Sequence, residues 1–160
     1  MTRISSLFLL FFISCSPPPK KEIPLYLNVE LKSLDGKIYK IGDLKRPLVL
    51  DFWASWCEPC KDAVPIVNRL YKELDPKKIT FYGINTDSPD KARIEKAIQE
   101  FGILYPSLLD PELKLVKSLE VIGQPGIIIL NKEGEIYFSH YGLKPKDYTL
   151  LLGKLRKIME

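Results

Sequence analysis

Asp51-Phe52-Trp53-Ala54-Ser55-Trp56-Cys57-Glu58-Pro59-Cys60-Lys61 places two cysteines three positions apart at a change of periodicity. Upstream, Leu48 to Ala54 is an apolar run broken only by Asp51, the pattern of a strand covered on both faces. Downstream, Val64, Val67, Leu70, Tyr71 and Leu74 recur at steps of three and four, with Lys61, Asp62, Asn68, Lys72 and Glu73 mainly off that stripe. This spacing predicts an amphipathic helix, with a kink at Pro65. Two cysteines at a strand-to-helix junction can sit within disulfide distance while the first stays open to solvent. Unsatisfied amides and the dipole at the helix start favour a Cys57 thiolate by about 0.3–1 kcal/mol. Cys57 is therefore the expected nucleophile. Cys60, one turn in and deeper, is expected to resolve the mixed disulfide that Cys57 forms with a partner, and Pro59 stiffens the link between them. The pair is also half of a zinc site, but the chain offers only His140, Cys15 and carboxylates as further ligands. No metal or other cofactor is expected.

Working outward, alternation over Leu25 to Leu31 and Ile38 to Ile41 around Leu34-Asp35-Gly36-Lys37 predicts a leading hairpin. Ile79 to Ile84 is a second buried-strand run, Pro89 to Gly102 a helix, and Glu112 to Leu119 a shorter one. Gly126 to Leu130 and Glu135 to His140 read as strands joined by a turn, and Lys146 to Met159 as a closing helix. The expected fold is α/β: a central mixed sheet, helices on both faces, and an extra N-terminal hairpin. His140, at the end of a predicted strand, is expected to be an ordinary half-buried residue.

Length and composition bound the rest. The 160 residues suit one domain, and 46% hydrophobic with 28% charged residues can bury a core. A net charge of +4 with no basic run longer than two residues gives no nucleic-acid footprint. Three cysteines exceed the pair by one, and the N-terminus explains the third. Residues 1–14 carry Arg3, the apolar run Leu7 to Ile13 and the small Ser14 before Cys15, the layout of a secretory signal. That run rises only about 10 Å as a helix against the roughly 30 Å of a bilayer core, so it cannot span. The small residue before Cys15 resembles the lipobox of bacterial lipoproteins, which implies a lipid-modified Cys15, although Phe12 stands where that motif usually has Leu. Residues 15–25 then read as a tether. At about 3.1 Å per residue in polyproline geometry, Ser16 to Pro24 reaches roughly 28 Å. The folded domain is expected over 26–160.

The segment from Asp51 to Lys61 resembles the active-site segment of the thioredoxin superfamily, and Val121-Ile122-Gly123-Gln124-Pro125-Gly126 resembles that family's cis-proline loop. The resemblance implies a thioredoxin-like three-layer sandwich over Tyr26 to Glu160, with Pro125 as the cis-proline facing the cysteines. Signal, tether, leading hairpin and the insert Asn85 to Leu119 are similar to the membrane-anchored TlpA/ResA-type thiol-disulfide oxidoreductases. That subgroup implies a lipid-anchored enzyme of the cell envelope facing the periplasm or exterior. It would exchange electrons with disulfides of extracytoplasmic proteins, such as those of cytochrome c maturation, and be re-reduced by a membrane thiol donor of the DsbD/CcdA kind. Two departures bear on mechanism. Asp51 stands where the anchored subgroup often has an uncharged residue; buried behind Cys60, it would have a raised pKa and take the Cys60 proton. Gln124 and Gly126 flank Pro125 where Thr or Val and then Thr are usual, so neither the family's partner specificity nor its redox tuning carries over to this loop. Trp56 and Trp53 are expected to shape the site, Trp53 by packing. Glu58 beside Cys57 opposes the thiolate and favours a reductant, with Lys61 blunting the effect. A copper assembly factor on this fold would space its cysteines one residue wider, and a peroxidase would have a Thr-x-x element before the cysteine where Ala54-Ser55-Trp56 stands.

Overall fold

The computed structural model describes residues 23–87 and 89–160. The signal, Cys15 and most of the tether lie outside the described residues. Leu48–Trp53 forms β3, buried at every position, as its apolar run requires. It pairs in parallel with β4, Thr80–Asn85, placing Asp51 opposite Gly83, and antiparallel with β6, Gly126–Leu130, placing Asp51 opposite Ile127. β7, Ile136–Tyr141, closes that edge as a hairpin with β6. On the other side β5, Ser107–Leu109, continues the parallel set from β4 and pairs antiparallel with β1, Glu30–Ser33, whose hairpin partner is β2, Ile38–Lys40. The sheet order is β2-β1-β5-β4-β3-β6-β7.

Alternation along β3 divides the core. Val49 and Trp53 face a layer built from α1 (Glu58–Glu73), α2 (Lys91–Phe101) and α4 (Tyr148–Met159). Leu48, Leu50 and Phe52 face α3 (Lys114–Ser118) and the N-terminal turns. The expected mixed sheet with helices on both faces and a leading hairpin is thus present. Helix α1 continues through Pro65, which lies on its exposed face, where the carbonyl a proline leaves unpaired can meet water.

Three differences from the sequence reading have physical reasons. Leu25–Asn28 is a 3-10 turn, so the first strand of the hairpin begins only at Glu30; Tyr26 and Leu27 are buried on the sheet instead of alternating within it. Strand β5 has three residues, too few for a period-2 signal, and is fixed from outside by Gly83 N–H donating to Pro106 O (2.8 Å) and Asp110 N–H to Asn85 O (2.8 Å). The closing helix is preceded by the 3-10 turn Pro145–Asp147. Among the described residues no helix is long and apolar enough to cross a membrane.

Candidate active site

Cys57 caps α1 and Cys60 lies in its first turn, bonded through sulfur with Cα atoms 5.2 Å apart. The Cys57 carbonyl accepts from Cys60 N–H at 3.0 Å, which tightens the turn that brings the sulfurs together. In this disulfide state Cys57 is 4% exposed, against 1% for Cys60, so the expected solvent-open Cys57 is not found: the sulfur bonded to Cys60 is covered where α1 packs on the sheet. Of the two, Cys57 lines a groove of about 370 Å³ together with Trp56, Leu113, Val116, Ile122 and Gln124. Trp56 and Ile122 are 66% and 82% exposed, so the cysteine is framed by apolar surface on two loops.

The loop before Cys57 is held from β4. Thr86 N–H donates to Trp53 O (3.1 Å), and Ser55 N–H donates to Asp87 Oδ2 (2.8 Å). Asn85 Nδ2 also donates to that oxygen (2.9 Å), and Arg93 Nε donates to Ser55 Oγ (2.8 Å). Sequence periodicity gives no role to the polar trio Asn85-Thr86-Asp87, although three polar residues closing a buried strand run is a visible signal. The Gln124-Pro125 peptide is cis, as the resemblance implied. Gln124 Nε2 donates to Thr86 Oγ1 (2.7 Å), so the proline loop and the cysteine loop share an anchor at the end of β4. Gly126 has a steric cause: a Cβ there would lie 2.8 Å from Gly123 O and 2.9 Å from the Tyr141 ring. Beyond Pro125 a second groove, about 540 Å³, is lined by Pro59, Asp62, Pro125, Leu143 and Lys144.

Asp51 is 3% exposed and, by strand alternation, lies on the face carrying Val49, Trp53 and the α1 layer with Cys60. Burial pushes its carboxyl up to about 6, opposed by a hydrogen bond that the Tyr105 hydroxyl donates to Oδ2 at 2.5 Å. Nothing in the sequence ties Tyr105 to a residue 54 positions away. Trp53 is packed, as expected, against Phe101 with ring centroids 6.0 Å apart. Glu58 and Lys61 are exposed and 3.9 Å apart, a loose pair that water screens. His140 Nε2 lies 3.1 Å from Asp147 Oδ2, and among the described residues no cluster of His, Cys, Asp and Glu is arranged to hold a metal.

The sequence profile of the AhpC/TSA family matches residues 9–139. This chain belongs to the AhpC/TSA family. The thiol-disulfide oxidoreductase ResA of Bacillus thuringiensis is 29% identical over 139 residues, 86% of this chain and 77% of ResA. A Chlorobium tepidum protein described as the thiol:disulfide interchange protein DsbE superposes with a TM-score of 0.75 at 23% identity, over 82% of this chain and 93% of the other. A secreted Mycobacterium tuberculosis disulfide oxidoreductase homologous to Escherichia coli DsbE gives 0.69 at 20% identity, over 82% and 97%. With a paired Cys57 and Cys60 on this thioredoxin-like fold, the chain is a thiol-disulfide oxidoreductase of the ResA type.

Proposed function

We propose that this oxidoreductase is a membrane-tethered reductase of protein disulfides outside the cytoplasm. Cys57 is the attacking thiolate, Cys60 the resolving thiol and Asp51 the acceptor of the Cys60 proton. The observation that carries this reading is the asymmetry of the pair: Cys57, at the cap of α1, lines the groove framed by Trp56, Ile122 and Gln124, whereas Cys60 lies one turn in, 1% exposed, on the helix that packs against the sheet face carrying Asp51. A partner disulfide laid in the groove meets Cys57 first. The thiolate forms a mixed disulfide and releases one partner thiol. Cys60, giving its proton to Asp51, then attacks Cys57 sulfur, closing the intramolecular disulfide and releasing the second thiol. Two electrons pass to the partner, and a membrane thiol donor restores the dithiol. The apolar frame suits an extended protein segment rather than a small polar disulfide. In this reading the signal of residues 1–14 exports the chain, and a lipid on Cys15 holds the domain at the membrane through the tether of residues 15–25.

Reduction of a protein disulfide with dithiothreitol as electron source tests the roles. Cys57→Ala should lose turnover entirely, while Cys60→Ala should accumulate partner cross-linked to Cys57 on non-reducing gels; turnover by Cys57→Ala would overturn the assignment. Direction is read by glutathione titration. A potential near or below about −270 mV supports a reductase, and one near −120 mV would reverse it. Labelled palmitate should appear on the wild type and not on Cys15→Ser.

A further inference from the structure

We propose that Tyr105 is a positioning residue for the second step: its hydroxyl, donated to Asp51 Oδ2, holds the carboxylate in the place and charge state from which it takes the Cys60 proton. The inference rests on the Asp51 role proposed above. Tyr105 precedes β5 and is 4% exposed, with Asp51 at 3%, so neither group has bulk water as an alternative partner. The bond between them is 2.5 Å long, the length of a charge-assisted O–H to carboxylate contact. The ring is fixed as well. Tyr71 of α1 packs on Tyr105 at 6.0 Å between centroids, edge-on, and belongs to the same helix that carries the cysteines.

The surroundings leave Tyr105 as the main control on Asp51. From α1 the groups in this layer that become titratable on reduction are Cys57 and Cys60, with Tyr71 reached through the Tyr105 ring. On either side in the sheet, β4 and β6 place Gly83 and Ile127 opposite Asp51. Glu58 and Lys61 project into solvent. Burial alone favours the protonated acid, which cannot accept a proton; the phenol works against burial by stabilising the carboxylate. The phenol keeps its own proton, because burial and the neighbouring carboxylate both raise it well above its ordinary range. Tyr105 therefore donates a bond without competing as an acid. With Oδ2 engaged, Oδ1 is the oxygen to receive the proton as Cys60 sulfur bonds to Cys57 and the partner thiolate departs, to be protonated by water.

The second step can be timed by stopped-flow. Reduced protein attacks dithiobis(nitrobenzoate), and release of the second thionitrobenzoate reports Cys60 attack on the Cys57 adduct. In the wild type the rate should rise with pH through the Asp51 titration. Tyr105→Phe should move that inflection upward by about one pH unit, with an about tenfold lower rate below it and the same plateau above. Asp51→Asn should remove the inflection. If Asp51→Asn lacks the inflection and Tyr105→Phe matches the wild type, the Tyr105 role is wrong and the Asp51 role stands. If Asp51→Asn keeps the inflection, both fail. Should Tyr105→Phe not fold, 3-fluorotyrosine at position 105, a stronger donor of nearly the same shape, should move the inflection downward; an unmoved inflection would overturn the proposal.

Discussion

A carboxyl held near 6 inside the core costs stability at neutral pH. Asp51 in the unfolded chain titrates near 3.8 and in the folded domain near 6. Between those values the native state binds more protons than the unfolded one, so stability is full below pH 4, falls as pH rises through 6, and is flat above. The difference amounts to roughly 3 kcal/mol at pH 8. Asp51→Asn keeps shape and an acceptor for Tyr105 but cannot ionise. In urea unfolding of the disulfide form it should be more stable than the wild type by up to about that amount at pH 8 and nearly equal to it at pH 4. An equal gain at both pH values would show packing, not charge, at work. A stabilising substitution that slows the resolving step is what a functional acid in a dry core should yield.

At the scale of elements, α3 forms a wall of the groove on only five residues, too short to stand alone. What fixes it is Asp110, 1% exposed, whose carboxylate accepts from Lys114 N–H (2.7 Å), Leu115 N–H (3.0 Å) and Val116 N–H (3.0 Å). Asp110→Ala should cost about 1–2 kcal/mol in urea unfolding. It should also raise KM for a protein disulfide more than for dithiobis(nitrobenzoate), because the small disulfide does not need the wall. Equal effects on both substrates would detach α3 from partner binding. Elements of this kind mark where sequence reading stops. β3 and α1 were legible because their apolar residues repeat over enough positions to fix a period, and Cys57 and Cys60 because they sit at the junction. β5 has no period, and its role comes from neighbours distant in the chain. The Tyr105 bond to Asp51 and the Gln124 bond to Thr86 are likewise products of strand order. Asp51 was visible as the polar break in an apolar run; its partner was not.

For the whole molecule, folding and redox potential are linked through one cycle: whatever stabilises the folded disulfide form over the folded dithiol form lowers the potential by the same free energy. The Cys57–Cys60 link closes a very short loop, so its effect on the unfolded chain is worth only about 2 kcal/mol, or about 40 mV. The far end of α1 is fastened to α4 by Arg156 Nη2 on Glu73 Oε1 at 2.8 Å and by the Tyr148 hydroxyl on Glu73, and the middle of α1 is core. These ties hold α1 beyond the first turn, which carries the cysteines. At that turn the nearby cation Lys61 is exposed and loosely paired with Glu58, so water screens it. The oxidised domain should therefore be the more stable one. Urea unfolding at pH 7 with and without excess dithiothreitol should give a lower midpoint for the reduced protein, by about 2 kcal/mol in stability. A strong oxidant is driven by the reverse order, a reduced form stabilised over its disulfide. A higher midpoint for the reduced protein would therefore turn the direction of electron flow around while leaving the fold, the cysteine roles and the groove as they are.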